Sequence, residues 1–273
     1  MKSLRERVAA ITGAAAGIGR MLAVNLAKEG CHLGLADINR QGLEETAKMA
    51  QGYGVRVTTH VVDVSQRDIV EKYAGEMIDQ HGSVDILVNN AGVTVVDTLE
   101  DVSYEDFKWV IDTNFWGVVH GTKAFLPHLK TRPEAHLVNI SSINAMIPFR
   151  NNGPYNCSKY AVRGFNETLM QELAGTSVNI ISVHPGGIKT GIARHARFHK
   201  AANTALGREE TAKLFERLAM TSADRAARAI ISGIKKNKKR VLIGADARVM
   251  AFCKRLFPIG SVTLAGRIIG WAK

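Results

Sequence analysis

The sequence predicts an α/β fold, a doubly wound parallel sheet of about seven strands with helices on both faces. Three observations predict it. Short apolar runs rich in β-branched residues recur along the chain, helical patterns separate them, and the first run leads into a glycine turn that opens a helix. In order, the runs are Val8–Thr12, His32–Asp37, Arg56–Val62, Ile86–Asn89, Ala135–Ile140, Val178–His184 and Arg240–Ile243, each bounded by Gly, Asp, Asn or Pro as buried strands are. Between them, Gly17–Glu29, Leu43–Ala50, Ser65–His81 and Tyr155–Leu173 carry apolar residues at threes and fours, the period of a helix packing on a sheet. Strands alternating with helices imply right-handed crossovers and a parallel sheet. No Pro- or Ser-rich linker divides residues 1–273, which read as one domain. Residues 186–239 read as a substrate-covering insertion and 245–273 as a basic amphipathic C-terminal extension.

Composition narrows the function classes. Of the 273 residues 46% are hydrophobic and 22% charged, which supports a folded core and excludes a disordered or fibrous chain. The most apolar C-terminal stretch is interrupted by Lys254, Arg255 and Arg267, short of the roughly 20 residues a membrane span needs. Arg5, Glu6 and Arg7 precede only Val8–Ile11 before the glycines, so no signal peptide is read and a cytoplasmic location is expected. Cys31, Cys157 and Cys253 are far apart and form no CxxC pair, which gives neither a disulfide framework nor a zinc site. The net charge of +11 is uneven: Lys and Arg number 18 against 20 Asp and Glu through Thr190, and 18 against 5 from Gly191 onward. The basic run Lys235–Arg240 has no interleaved aromatics, so nucleic acid is not the expected partner. Val249–Trp271, with Lys254, Arg255 and Arg267 among apolar groups, is compatible with a packed solvated helix, an oligomer contact, a cleft cover or weak peripheral contact with a membrane.

The first chemical motif is Thr12-Gly13-Ala14-Ala15-Ala16-Gly17-Ile18-Gly19, between a strand and a helix. Glycines let the backbone turn tightly and admit a pyrophosphate, and the helix start presents free N–H groups. Three glycines alone also suit any tight βα turn. Asp37, eighteen residues after Gly19 at the end of the second strand, strengthens the nucleotide reading, because a carboxylate there accepts hydrogen bonds from the adenosine ribose and repels a 2′-phosphate. NAD is therefore the expected cofactor. Arg40, three positions on, keeps NADP as a minority reading.

The TGxxxGxG spacing resembles the short-chain dehydrogenase/reductase family, and the resemblance extends motif by motif from Val8 to Thr190. It implies a Rossmann-type fold with Gly13, Ala16, Gly17, Ile18 and Gly19 around the cofactor's phosphates. Asp63 and Val64 match the family's adenine contact, and Asn90, Ala91 and Gly92 its NNAG signature. Pro185, Gly186, Ile188 and Thr190 match the segment that covers the nicotinamide. Asn114, Ser142, Tyr155 and Lys159 match its catalytic set, with Ser142 thirteen residues before Tyr155, the family's usual spacing.

The YxxxK spacing also has its own physical reason: residues four apart share a helix face, so Tyr155 and Lys159 address one ligand. A phenol has a reference pKa near 10, and a neighbouring ammonium together with an oxidised nicotinamide would lower it toward the working range. Tyr155 then removes the hydroxyl proton as hydride leaves an alcohol carbon, or returns it during carbonyl reduction. By resemblance, Ser142 holds the same oxygen, Lys159 also binds the nicotinamide ribose and Asn114 holds a proton-relaying water. Ser141 is a competing hydroxyl, and strand alternation lets only one of the two serines meet Tyr155.

Other residues read more plainly. His195 and His199 have zinc-ligand spacing but no acidic or cysteine partner nearby in sequence, and they suit a lid better than a metal site. His184 before Pro185 reads as packed or cleft-lining, and Cys157 as packing. The expected substrate lining, Val93–Val96, Ile143–Phe149 and Gly187–Phe198, is mainly apolar apart from Asn144, Lys189, Arg194, His195 and Arg197. The expected reaction is thus NAD-dependent interconversion of a lipophilic secondary alcohol and its ketone or aldehyde. Alternatives are an NADP-dependent carbonyl reductase, a sugar-nucleotide epimerase or dehydratase, and a non-catalytic nucleotide-binding protein. A homodimer or homotetramer is expected, although the chain lacks the V-D-G-G ending that many family members carry at an oligomer contact.

Overall fold

Val8–Thr12 forms the first strand (β1), buried at all five positions. In the computed structural model, which describes residues 1–192, 194–199, 209, 210, 213 and 219–263, β1 lies inside a seven-stranded sheet. The chain continues through α1 (Gly17–Lys28), β2 (His32–Asp37), α2 (Arg40–Gln51), β3 (Val57–Val61), α3 (Arg67–His81), β4 (Ile86–Asn89) and the short β5 (Val95–Val96). Next come α4 (Tyr104–Ile111), a π turn over Asp112–Trp116, α5 (Gly117–Lys130), β6 (Ala135–Ile140), a 3₁₀ turn over Ile143–Ala145 and α6 (Gly153–Glu172). The described chain ends with β7 (Val178–Pro185), β8 (Ile188–Lys189), β9 (Arg197–Phe198), β10 (Thr221–Ser222), α7 (Ala223–Lys235), β11 (Arg240–Ile243) and α8 (Ala245–Leu256).

The main sheet has the order β11-β7-β6-β4-β1-β2-β3, and every pairing is parallel. Alternating strand side chains build two cores. Ala9 and Ile11 face α1, α2 and α7, whereas Val8 and Ala10 face α3, α5 and α6. The chain order reverses between β1 and β4, which opens a crevice at the carboxyl ends of the strands, where such sheets bind ligands.

All seven predicted strands are present. The predicted helix at Leu43 starts earlier, at Arg40, because the Asn39 side chain accepts from the Gly42 N–H and caps it. The helix carrying Tyr155 starts at Gly153, with Pro154 in its first turn. The expected covering insertion over 186–239 is divided: α7 buries Ala226, Ala227, Ile230, Ile231 and Ile234 against the sheet and α1, so residues 223–235 belong to the domain core and do not cover the cleft. No helix among the described residues is long and apolar enough to cross a membrane. Ala193, much of 200–218, and Arg267 and Trp271 of the extension lie outside the described residues.

Candidate active site

The glycine turn is locked to the start of the NNAG segment. Asn90 Nδ2 donates to the carbonyls of Thr12 and Gly13, both at 3.0 Å, while the Thr12 hydroxyl accepts from the Asn90 and Ala91 amides. Gly13 and Gly17 have φ of +66° and +55°, a region that costs a side-chain-bearing residue strain. A Cβ on Gly19 would overlap the Gly13 carbonyl oxygen. The helix N-cap is Ala16, whose side chain offers no acceptor to the first-turn N–H groups, which leaves them available to an anion. Thr190 folds back onto this turn: its Cγ2 would lie 3.3 Å from a Cβ on Gly17. Ile188 is buried beside it and pairs with Thr221 across β8 and β10.

Asp37 is held across the same mouth, with one carboxylate oxygen accepting from the Ala15 amide and the other from the Asn39 amide, each at 3.0 Å. Arg40 is exposed at the first residue of α2. Asp63 accepts from the Ser65 amide and hydroxyl, and the carbonyl of buried Val64 bonds to His120. These residues with the glycine turn form one continuous rim, so the chain's donors, glycine contacts and carboxylates fit a dinucleotide.

Deeper in the crevice, Tyr155 and Lys159 lie on one face of α6, with Lys159 Nζ 5.5 Å from the Tyr155 ring centre. Lys159 is 3% exposed and donates to the Ile140 carbonyl at 2.9 Å. The two candidate serines separate cleanly. Ser141 donates to the Lys159 carbonyl at 2.9 Å, whereas Ser142 is the hydroxyl next to Tyr155 and is braced by the Asn144 side chain and amide. Asn114 is fully buried in the π turn. Its side chain accepts from the Val93 amide and donates to the Val93 carbonyl and Ser158 hydroxyl, which ties the segment after NNAG to α6. A π turn shifts backbone register, a device common at functional sites.

Burial moves the two ionisable groups apart. It raises the Tyr155 phenol above its ordinary value, with the Ser142 hydroxyl opposing, and it lowers Lys159 to about 8. Desolvation of the phenolate itself is the main cause of the rise in Tyr155, and the Ser142 hydroxyl supplies the opposing influence. The lowering expected of Tyr155 depends on the ammonium together with an oxidised nicotinamide.

Several contributors carry no sequence signal. Asp246 accepts from the Gly187 amide at 2.6 Å and abuts Gly186, anchoring the Pro185–Gly187 bend to α8. Asn156 holds the loop after Ser142 by accepting from Asn144 Nδ2 and donating to the Phe149 carbonyl. His184 bonds to the Ser142 carbonyl at 3.1 Å. An acidic partner for His199, which the local sequence lacks, arrives from α4. Asp106 bonds His199 at 2.5 Å and Arg197 at 2.7 Å, while the Arg197 guanidinium stacks 3.7 Å from the Trp109 ring centre. Together with β9 pairing to β5, this latches residues 197–199 over the crevice edge. Among the described residues no group of three potential metal ligands gathers.

Comparison with known proteins matches this architecture to a family. Residues 7–201 fit the short chain dehydrogenase family. The chain belongs to the short-chain dehydrogenase/reductase family. It is 39% identical over 259 residues to SadH of Mycobacterium tuberculosis, named as an oxidoreductase, covering 94% of this chain and 92% of that one. A short-chain dehydrogenase/reductase from Burkholderia phymatum, solved in complex with NAD, superposes with a TM-score of 0.82 at 30% identity over 94% of this chain and 96% of that one. An alcohol dehydrogenase from Thermococcus sibiricus, complexed with 5-hydroxy-NADP, gives 0.73 at 27% identity over 87% and 95%. Membership makes the protein an NAD(P)-dependent oxidoreductase.

Proposed function

We propose that this dehydrogenase interconverts a lipophilic secondary alcohol and its ketone or aldehyde, with NAD as cofactor and Tyr155 as general acid/base. The observation that carries the reading is the convergence of Tyr155, Ser142 and Lys159 at the end of a crevice whose rim is the glycine turn and Asp37. Gly13, Ala16, Gly17, Ile18 and Gly19 hold the pyrophosphate, Asp37 the adenosine ribose, Asp63 and Val64 the adenine, and Asn90–Gly92 with Pro185, Gly186, Ile188 and Thr190 the nicotinamide end. When bound, the nicotinamide supplies the hydride acceptor or donor. In the oxidation direction the Tyr155 phenolate takes the substrate's hydroxyl proton as hydride leaves the same carbon. In reduction the phenol returns that proton to the carbonyl oxygen. Ser142 donates to the substrate oxygen, Lys159 holds the nicotinamide ribose and Asn114 orders a relaying water. The raised phenol makes Tyr155 a proton donor near neutrality, so oxidation should quicken with rising pH.

Support for a lipophilic substrate comes from the pairing of Arg197 and His199 with Asp106, which takes up the charge of two of the few polar residues in the expected lining. The NADP-dependent carbonyl reductase remains the second reading, favoured by exposed Arg40 close to Asp37. A homo-oligomer is supported by the exposed Tyr104 and Trp116 around a surface concavity of about 560 Å³ on α4 and the π turn. On α8, Val249, Phe252 and Leu256 are exposed beside Arg248 and Arg255, which supports weak peripheral contact with a membrane. The deciding experiment is a panel of secondary alcohols and ketones followed by nicotinamide absorbance with NAD(H) and NADP(H). Turnover only of polar sugars, or of nothing in the panel, would remove the substrate reading.

A further inference from the structure

A line of buried polar side chains crosses the sheet and ends on Ser142. Asn89 on β4, Asn139 on β6 and Ser182 on β7 are successive cross-strand partners, and Asn166 of α6 bridges the last two. Asn89 Nδ2 lies 2.8 Å from Asn139 Oδ1, Asn139 Nδ2 2.6 Å from Asn166 Oδ1, and Asn166 Nδ2 3.0 Å from Ser182 Oγ. Ser182 Oγ is 2.9 Å from His184 Nε2, and His184 Nδ1 is 3.1 Å from the Ser142 carbonyl oxygen.

The direction of every bond follows from its last member. A carbonyl oxygen only accepts, so His184 Nδ1 carries the proton. Burial holds His184 at about 4, well below its ordinary value, so the ring is neutral at working pH and Nε2 must accept. Ser182 therefore donates to Nε2 and accepts from Asn166, and the amides upstream are fixed in turn. All five donors point toward Ser142, in an interior where such a network is rigid because each lost bond strands a buried polar group.

We propose that His184 is a positioning residue for the reaction, held as the Nδ1–H tautomer by this one-way chain so that it fixes the Ser142 backbone and aims the Ser142 hydroxyl at the substrate oxygen. The segment is clamped elsewhere at Ile140 by Lys159 and at the Ser141 amide by the Val183 carbonyl. At Ser142 itself the carbonyl accepts from the Ala145 amide within the 3₁₀ turn at 3.1 Å, and His184 adds the side-chain clamp that ties this turn to β7. The inference rests on the assignment of Ser142 to the substrate oxygen.

The test compares Ser142→Ala, His184→Leu, His184→Asn, His184→Gln and Ser182→Ala on the best substrate, with cofactor Kd from reduced-nicotinamide fluorescence and ¹⁵N spectra of histidine-labelled enzyme. Ser142→Ala should lower kcat by about 10². His184→Leu should lower it about tenfold with cofactor Kd unchanged, the scale of losing an orienting partner behind a working residue. Asn, whose Nδ2 takes the place of Nδ1, should recover kcat to within about threefold of wild type, whereas Gln, reaching toward Ser182, should not. Ser182→Ala should lower kcat severalfold and convert a single Nδ1–H tautomer into a mixture. Wild-type kcat in His184→Leu beside an impaired Ser142→Ala overturns the proposal alone, as does an Nε2–H tautomer or no recovery in Asn. Wild-type kcat in Ser142→Ala overturns the site assignment beneath it. If His184→Leu does not fold, Ser182→Ala decides, and unchanged kcat and tautomer in it reject the role.

Discussion

Tyr155 loses its ionisable oxygen and little else on replacement by Phe, so this substitution isolates the proton transfer. Turnover should fall by about 10² or more while cofactor Kd and thermal stability stay near wild type, the scale of losing a general acid/base. Retained kcat with intact cofactor binding would remove Tyr155 from the chemistry. Cofactor choice is tested at Asp37, whose carboxylate is already oriented by the Ala15 and Asn39 amides and would meet a 2′-phosphate as a like charge. NAD should be favoured over NADP by about tenfold or more in kcat/KM, and Asp37→Ser should narrow the ratio. A wild-type preference for NADP would transfer the reading to Arg40. These residues were readable because each closes a predicted strand or sits on a predicted helix within a recognisable spacing. The roles of Asp246 and His184 were not, because they are bonds to backbone atoms 59 and 42 residues away, which leave no spacing to read, and Asn156 acts through loop contacts that carry no motif.

Among the elements, six of the seven main strands announce themselves by β-branched residues and β2 by its apolar run alone, whereas β5, β8, β9 and β10 are two residues each and too short to show a period. The region from α4 to α5 is not among the helical patterns read from the sequence. Glycines at 117 and 121, Pro127 within α5 and the π turn all break the helical pattern there, although Gly121 is required because a Cβ would overlap the Asn89 side chain. The segment of α7 was obscured differently: it lies within the longest stretch between main strands, which reads as an insertion, while its apolar stripe packs on α1 and the sheet. Ile230 lies at the centre of that stripe and is fully buried. Ile230→Ala should cost about 2–4 kcal/mol in urea unfolding, the usual range for emptying a buried aliphatic site. A covering role for this helix predicts instead a changed substrate KM with stability untouched.

For the whole molecule, acid sensitivity follows from histidines that folding keeps neutral. Burial lowers His184 to about 4 and is the main cause of the lowering in His81, also to about 4, where the charges of Arg56, His32 and His60 add to it. Burial lowers His136 as well. In the unfolded chain each binds a proton near 6.5. Between about 4 and 6.5 the unfolded state therefore holds more protons, stability rises with pH across that window, and it is lost as pH falls through it. His184 contributes on the order of 3 kcal/mol to this slope, being almost wholly inaccessible. His81 and His136 add in the same direction. The urea midpoint should therefore drop steeply from pH 7 to 4.5, and the drop should be smaller in His184→Asn, which keeps a donor toward Ser142 but has no ring to protonate. Sedimentation over the same range should separate this from assembly, since a pairing surface centred on Tyr104 and Trp116 contains none of these histidines and should stay associated until the subunits themselves unfold. An equal slope in wild type and His184→Asn would show that His184 is not excluded from protons in the folded state, and dissociation ahead of unfolding would place the sensitive groups at the subunit contact instead.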